Sequence, residues 1–404
     1  MKDIQDRILV IDALRGFALA GIVLVHFVEQ FLGGPIPEEE TSIMIQGIPD
    51  YIVLGIIQLF FSGKFFALFS ILFGLSFYIQ MNRAAQKGKP YKLRFIWRLA
   101  ILMLIGLIHS LFYRGDILTI YVVVGLFLPL FHNVSNKWLL IISGILFLGL
   151  GRFLVFALHG SEGFFGLMDF TPNSEFSKDY FKILSEGTIM DVFKDNITNG
   201  LLMKIEFQFG TFNRGYLTFA MFLIGMWFGR IQLFENIGRL RNKLKEYMWY
   251  ALGFSLLSLI LMVVQFSQIR QPVEFNNWPA MIAMHTMDLM NLGMTGFILL
   301  AFLIVYGGKK GYRLNILAPY GRMALTNYVM QSIIGTFIFF GWGLGMLAQV
   351  RNLYTFLFGF VIIVVQIILS KWWISKFYYG PFEWIWRCLT WTKWMPLVRG
   401  STDN

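Results

Sequence analysis

Charge and cysteine are both scarce in this sequence. Only 14% of its 404 residues are Asp, Glu, Lys or Arg, against roughly 25% in an ordinary soluble domain. That shortage, with 57% hydrophobic residues, excludes a soluble globular enzyme, a disordered tail protein and a nucleic-acid-binding module. The single cysteine, Cys388, cannot form an internal disulfide, and no Cys/His cluster offers a zinc site, so no metal is expected. The chain also has no GxxxxGK[ST] loop, no GxSxG elbow and no HExxH helix. ATP-driven transport, serine hydrolysis and zinc hydrolysis therefore lack their usual residues.

What the sequence has in abundance is apolar length. A hydrocarbon core about 30 Å thick needs about 20 mostly apolar residues per crossing, and about ten such runs are bounded by charge, Gly, Pro or Asn. They are 11–32, 51–81 with a break expected at Ser62-Gly63-Lys64, 99–113, 117–131, 138–158, 216–228, 247–266, 280–306, 318–341 and 353–377. The expected fold is an all-α polytopic integral membrane protein with about ten transmembrane helices. Basic residues fall in alternate gaps, for example Arg83 to Arg98, Arg230 to Lys245 and Lys371 to Arg399, whereas the opposite side carries Glu38, Glu39, Glu40 and Asp50. The positive-inside rule then places both termini in the cytoplasm and accounts for most of the net charge of +11.

This pattern divides the chain into a first membrane half, 1–158, an extracytoplasmic amphipathic segment or lid, 159–214, and a second membrane half with a Trp-rich tail, 215–404. Within the lid, Thr188-Ile189-Met190-Asp191 reads as a capping box opening one amphipathic stretch to Ile205. The tail, with Trp372, Trp373, Trp384, Trp386, Trp391 and Trp394, suits anchoring at the headgroup level.

Ionisable groups inside the apolar runs cost about 2.5 to 3.5 kcal/mol each on insertion scales, which makes them functional candidates. Arg15 and His26 are eleven residues apart, close to three helical turns, so they share one face about 16 Å apart along the axis. Glu29 lies on the same face and is placed to orient the imidazole. His109 sits in another apolar run shortly before Asp116, an acid at the start of the next. His285, Asp288, Asn291 and Thr295 form a polar stripe on a later run, and Thr326, Asn327 and Gln331 form a second. Such stripes either face a wet cavity or join helices by hydrogen bonds. The glycines Gly225 and Gly229 read as close helix packing.

The segments Ile11-Asp12-Ala13-Leu14-Arg15-Gly16-Phe17, Gly63-Lys64-Phe65-Phe66-Ala67-Leu68-Phe69, Gly106-Leu107-Ile108-His109 with Gly115-Asp116, Gly321-Arg322-Met323-Ala324-Leu325-Thr326-Asn327-Tyr328 and Gly380-Pro381-Phe382-Glu383-Trp384-Ile385-Trp386-Arg387 resemble the YeiB-like family of bacterial membrane proteins, including its C-terminal domain of unknown function 418. The opening is also similar to the wider transmembrane acyltransferase superfamily, which contains the acyltransferase-3 proteins and heparan glucosaminide acetyltransferase. Arg15 and His26 match the Arg-x10-His motif of the acyltransferase-3 proteins, where many YeiB-like members carry Asn at the second position.

The resemblance implies a multi-pass protein of the bacterial inner membrane and a transmembrane acyltransferase. Acyl-CoA, as acetyl-CoA, is the expected co-substrate, held by Arg15, Lys92, Arg94 and Arg98. His26, Glu29, His109 and Asp116 are the expected catalytic groups. A lipid-linked or envelope sugar acceptor would lie near His285, Asp288, Asn291, Asn327 and Gln331. The alternative is a proton-coupled transporter or exporter with His26, Glu29, His109, Asp288 and Asn327 along its path. Expected partners are the bilayer and the acceptor, with no nucleic acid, and a homo-oligomer is compatible with the sequence.

Overall fold

The computed structural model describes residues 2–88, 90–160, 172–269 and 277–400, with side chains from residue 9 on. Lys89 of the expected second inner gap and residues 161–171 of the expected outer segment lie outside the described residues. Among the described residues the chain is helical, with one isolated antiparallel bridge between Phe377 and Val398.

Six helical segments are long and apolar enough to cross a bilayer: Leu9–Val28, Ile48–Gln86, Lys92–Phe112, Ile237–Gln268, Trp278–Tyr306 and Asn352–Lys376. A seventh exists if Asn136–Phe147 and Leu150–His159, bent by 47° at their junction, count as one. The other apolar runs form shorter or broken helices. The run 117–131 is divided into Leu118–Gly125 and Leu128–Phe131, 318–341 into Ala318–Arg322 and Ala324–Phe339, and 216–228 lies in the 17-residue helix Arg214–Arg230. A hydropathy run records apolar composition, whereas these breaks depend on local backbone geometry that composition does not register.

In chain order the helices are α1 (Lys2–Val28), α2 (Glu38–Met44), α3 (Ile48–Ile56), α4 (Lys64–Gln86), α5 (Lys92–Phe112), α6 (Leu118–Gly125), α7 (Leu128–Phe131), α8 (Asn136–Phe147), α9 (Leu150–His159), α10 (Glu175–Glu186), α11 (Ile189–Ile197), α12 (Asn199–Phe209), α13 (Arg214–Arg230), α14 (Ile237–Gln268), α15 (Trp278–Tyr306), α16 (Ala318–Arg322), α17 (Ala324–Phe339), α18 (Asn352–Lys376) and α19 (Pro381–Trp391).

Helix α1 is the hub, packed against α4, α16, α17 and α18. Its approach to α16 requires glycine on both sides: a Cβ at Gly16 would collide with the Leu317 carbonyl, and one at Gly321 with that of Asp12. The expected packing role of Gly225 and Gly229 is realised between α13 and α4, where added Cβ atoms would meet Ile71 and Tyr78. Helix α14 packs chiefly on α15 and leaves most of its surface outward, as a helix bathed in lipid tails does.

The expected break at Ser62-Gly63-Lys64 is present. Between α3 and α4 the chain makes a π-helical turn, Ile57–Phe61, and Gly63 sits in the left-handed region at φ +79°, which favours glycine. Buried Lys64 places its Nζ 2.5 Å from the Gln58 carbonyl, satisfying an acceptor freed by the irregular turn.

The described residues of the segment expected as a lid form α10, α11 and α12. The capping box forms as expected, with the Thr188 hydroxyl accepting from the Asp191 N–H and the Asp191 carboxylate accepting from the Thr188 N–H. The single amphipathic stretch does not: Thr198 ends α11 and α12 begins at Asn199. Arg114, between α5 and α6, clamps the lid by pairing with Asp195 and lying 3.6 Å over the Tyr180 ring. Tyr180 donates to the Leu32 carbonyl, and burial pushes its hydroxyl up to about 12, so it remains a donor.

Candidate functional site

The α1 hub forms one wall of a cavity of about 1240 Å³. Asp12, Arg15, His26 and Glu29 all line it, so the cavity follows α1 for about 25 Å at 1.5 Å per residue. That is most of the hydrocarbon thickness.

At the Arg15 end, four guanidinium groups from four helices line the cavity: Arg15 of α1, Arg98 of α5, Arg322 of α16 and Arg387 of α19. Each is held in place. Arg15 donates to Asp12 at 2.7 Å and to the Ser76 hydroxyl at 2.7 Å. Arg98 lies 3.6 Å over the Trp386 ring, whose indole N–H donates to the Arg98 carbonyl at 2.8 Å. Arg322 donates to the Tyr378 carbonyl at 3.1 Å, and Arg387 lies 4.9 Å over the Tyr379 ring. The facing carboxylates are Asp12 and Glu383, and Glu383 is occupied by the N–H and hydroxyl of Thr326 at 3.0 and 2.6 Å. Four cations against two anions give this end a net positive field, which favours a polyanion.

Only part of the expected cation set belongs here. Arg94 donates to the Thr390 carbonyl at 2.8 Å and stacks on Trp391, while Lys92 lines a separate small pocket. Their places are taken by Arg322 and Arg387, which helical spacing along one run does not single out. Both lie in the glycine-led segments that carry the YeiB-like resemblance, and that was the available signal. The Trp-rich tail also reaches the cavity, because α19 packs on α5 and α17 and brings Glu383, Trp386 and Arg387 to its wall.

Toward the other end, the His26 ring is partly open to the cavity among Tyr113, Phe31 and Tyr328, with centroids 5.1, 5.3 and 6.2 Å away. Its polar neighbour is Gln331, whose Nε2 lies 3.4 Å from His26 Nδ1. Glu29 lines the same cavity but makes no hydrogen bond to the imidazole. The carboxylate–imidazole pair that does form is His109 Nδ1 with Asp116 Oδ1, at 2.8 Å and fully buried. Asp116 also accepts from the Leu118 and Thr119 N–H groups at 3.1 and 3.0 Å, which caps the start of α6. Asp116 reaches the cavity wall and His109 stands behind it.

The polar stripe of α15 lies away from the cavity. Asp288 is paired at 2.6 Å with Arg152 of α9, and both side chains are buried. Arg152 also donates to the carbonyls of Thr211 and Phe212 at 2.6 and 3.3 Å. His285 packs against Gly149 and Phe153, and Asn291 against Gly63. Asn327 donates to Ser370 at 2.9 Å and receives Gln366 at its carbonyl at 3.2 Å. None of the five residues expected around the acceptor lines the cavity, although Gln331 and Asn291 touch His26 and Gly63, which do. Two others unnoticed in the sequence do line it: Lys204 of α12 and Arg214 at the start of α13.

Two family models match parts of this chain. Residues 7–185, which carry Arg15, His26, Arg98, His109 and Asp116, match the family model of the heparan-alpha-glucosaminide N-acetyltransferase catalytic domain. Residues 228–393, with Arg322, Glu383 and Arg387, match the family described as a protein of unknown function, DUF418. The uncharacterized protein YxaH of Bacillus subtilis is 29% identical, with the alignment covering 98% of this chain and 97% of YxaH. The uncharacterized protein YeiB of Escherichia coli is 26% identical across 96% of this chain and 97% of YeiB. Over nearly its whole length this chain is similar to the YeiB-like membrane proteins, and its residues 7–185 resemble the heparan-alpha-glucosaminide N-acetyltransferase catalytic domain.

Proposed function

We propose that the protein is a transmembrane acyltransferase that takes an acyl group, as acetyl, from cytoplasmic acyl-CoA and passes it to a hydroxyl or amine acceptor on the outer side. The observation that carries this reading is a single cavity with an arginine cluster at one end and an open histidine about 16 Å away along α1. The distribution of Lys and Arg supports a cytoplasmic arginine end, with both termini inside and the protein in the bacterial inner membrane.

The anionic phosphates of the coenzyme meet Arg15, Arg98, Arg322 and Arg387, whose planar donors suit bidentate phosphate contacts. The extended pantetheine arm leads the thioester along the cavity. Turning the Gln331 amide places its oxygen toward His26 Nδ1, the orientation in which Nδ1–H donates and Nε2 is free. Nε2 then takes the acceptor proton as the acceptor oxygen or nitrogen attacks the thioester carbonyl carbon. The carbon–sulfur bond breaks, and the departing thiolate receives the proton from the imidazolium. No ATP is required, in keeping with the missing nucleotide motifs. His109 fixes Asp116 at the cavity wall as a positioning pair.

A proton-coupled path through His26, Glu29, His109, Asp288 and Asn327 has less support, because Asp288 and Asn327 are bonded within the bundle. Thermal stabilisation of the purified protein by acetyl-CoA, longer acyl-CoAs and free CoA tests the reading. Saturable stabilisation that is lost in Arg98→Gln/Arg387→Gln is expected. No stabilisation by any coenzyme form would overturn it.

A further inference from the structure

Beyond His26 three further cations line the cavity, remote from the arginine cluster: Arg114, which is paired with Asp195, and Lys204 and Arg214. Arg214 lines it between the rings of Phe66 and Phe207, 6.0 and 5.9 Å from its guanidinium carbon, and that guanidinium forms no ion pair or hydrogen bond among the described residues. The cavity-lining carboxylate Glu29 stands beyond ion-pair distance of it. Lys204 reaches the same cavity from the lid, with Asp116 at 3.8 Å and the Thr119 hydroxyl at 3.4 Å, both long contacts. Burial lowers the Lys204 ammonium from its ordinary range and the Asp116 charge opposes that shift. Two cations with spare donors, lining the cavity that His26 also lines, suit a phosphate.

The adjoining wall has a different character. From α3 through the π-helical turn, Leu54, Ile57, Gln58 and Phe61 line the cavity. Their spacing of three and four residues places them on one helical face. Ile52, Ile56 and Phe60, on the other face, are exposed. In a membrane this irregular segment is therefore a wall one helix thick, with the cavity on one side and lipid on the other. Its break at Gly63 leaves it joined to α4 by a turn rather than a continuous helix.

We infer that the acceptor is an amphipathic lipid carrying a phosphate, with the phosphate on Arg214 and Lys204 and the tail against the Leu54–Phe61 wall. This rests on the acyltransferase reading and names its acceptor class. The phosphate belongs either to a polyprenyl phosphate carrier or to a glycerophospholipid.

The test is binding of four lipids to the full-length protein in detergent, followed by native mass spectrometry: undecaprenyl phosphate against undecaprenol, and phosphatidic acid against diacylglycerol. At least a tenfold preference for the phosphate-bearing member of one pair is expected, and that pair identifies the source. Arg214→Gln should abolish the preference and Arg214→Lys should retain part of it. Equal binding within both pairs, or a preference unchanged in both Arg214→Gln and Lys204→Gln, would overturn the inference. Stabilisation by acetyl-CoA, measured on the same samples, reports the folding of each variant. Its absence in the unaltered protein would count against the acyltransferase reading and leave the lipid result standing on its own.

Discussion

Helices α1 and α15 both carry charged and polar residues within apolar runs, yet the structure uses them in opposite ways. On α15 the charge is closed: Asp288 meets Arg152, and Arg152 also holds two backbone carbonyls, all away from the cavity. On α1 the polar face is open: Arg15, His26 and Glu29 line a long cavity, and Glu29 has no hydrogen-bond partner among the described side chains. An ionisable group in a membrane helix is thus not informative by itself. Its partners separate glue from chemistry.

The largest expected effect divides the two helices by readout. His26→Ala should reduce acyl transfer by about a hundredfold or more and leave thermal stability nearly unchanged, because the ring faces a cavity. Asp288→Ala should do the reverse. It leaves a buried guanidinium unpaired, at a cost of about 3 to 5 kcal/mol measured by thermal or denaturant unfolding. Replacing the pair together, as Arg152→Met/Asp288→Leu, should recover most of that loss. If Asp288→Ala removed activity without destabilising the protein, the contrast between the helices would fail.

A smaller effect is expected at the arginine end. Arg15→Gln should weaken acetyl-CoA binding about tenfold, the loss of one charge-assisted contact, while Arg94→Gln, tied to the tail, should bind as the unaltered protein does. Calorimetric titration distinguishes them.

The smallest effect lies outside both helices, at the lid's capping box. The Thr188 hydroxyl and then its N–H hold the Asp191 carboxyl below the usual carboxylate range. A folded-state value below the unfolded one means the contribution is present above the unfolded pKa and is lost as pH falls through the folded value. Acid titration of lid protection, followed by hydrogen exchange, should show this loss, and Asp191→Asn should remove the pH dependence.

The sequence disclosed those parts of the site that lie along one helix. Helical periodicity is enough to put Arg15, His26 and Glu29 on one face, and the Thr188 capping box is equally local. The contacts it did not disclose join distant parts of the chain. Arg322 and Arg387 reach the Arg15 end only because α16 packs on α1 and α19 on α5. Lys204 and Arg214 arrive through the lid and the start of α13. The pairing of His109 with Asp116 rather than His26 with Glu29 depends on the turn between α5 and α6, which brings two residues seven apart to 2.8 Å. The fold was legible to the same extent. Apolar runs indicated a helical membrane protein, but the π-helical turn at 57–61 and the 47° bend at 148–149 are backbone events that a hydropathy pattern does not encode.

The most direct test of the central claim is transfer of label from radiolabelled acetyl-CoA into a membrane lipid extract by the purified protein, compared with His26→Ala. Label entering the lipid fraction with the unaltered protein and none above background with the variant is the predicted result. Equal labelling by the two proteins would contradict it.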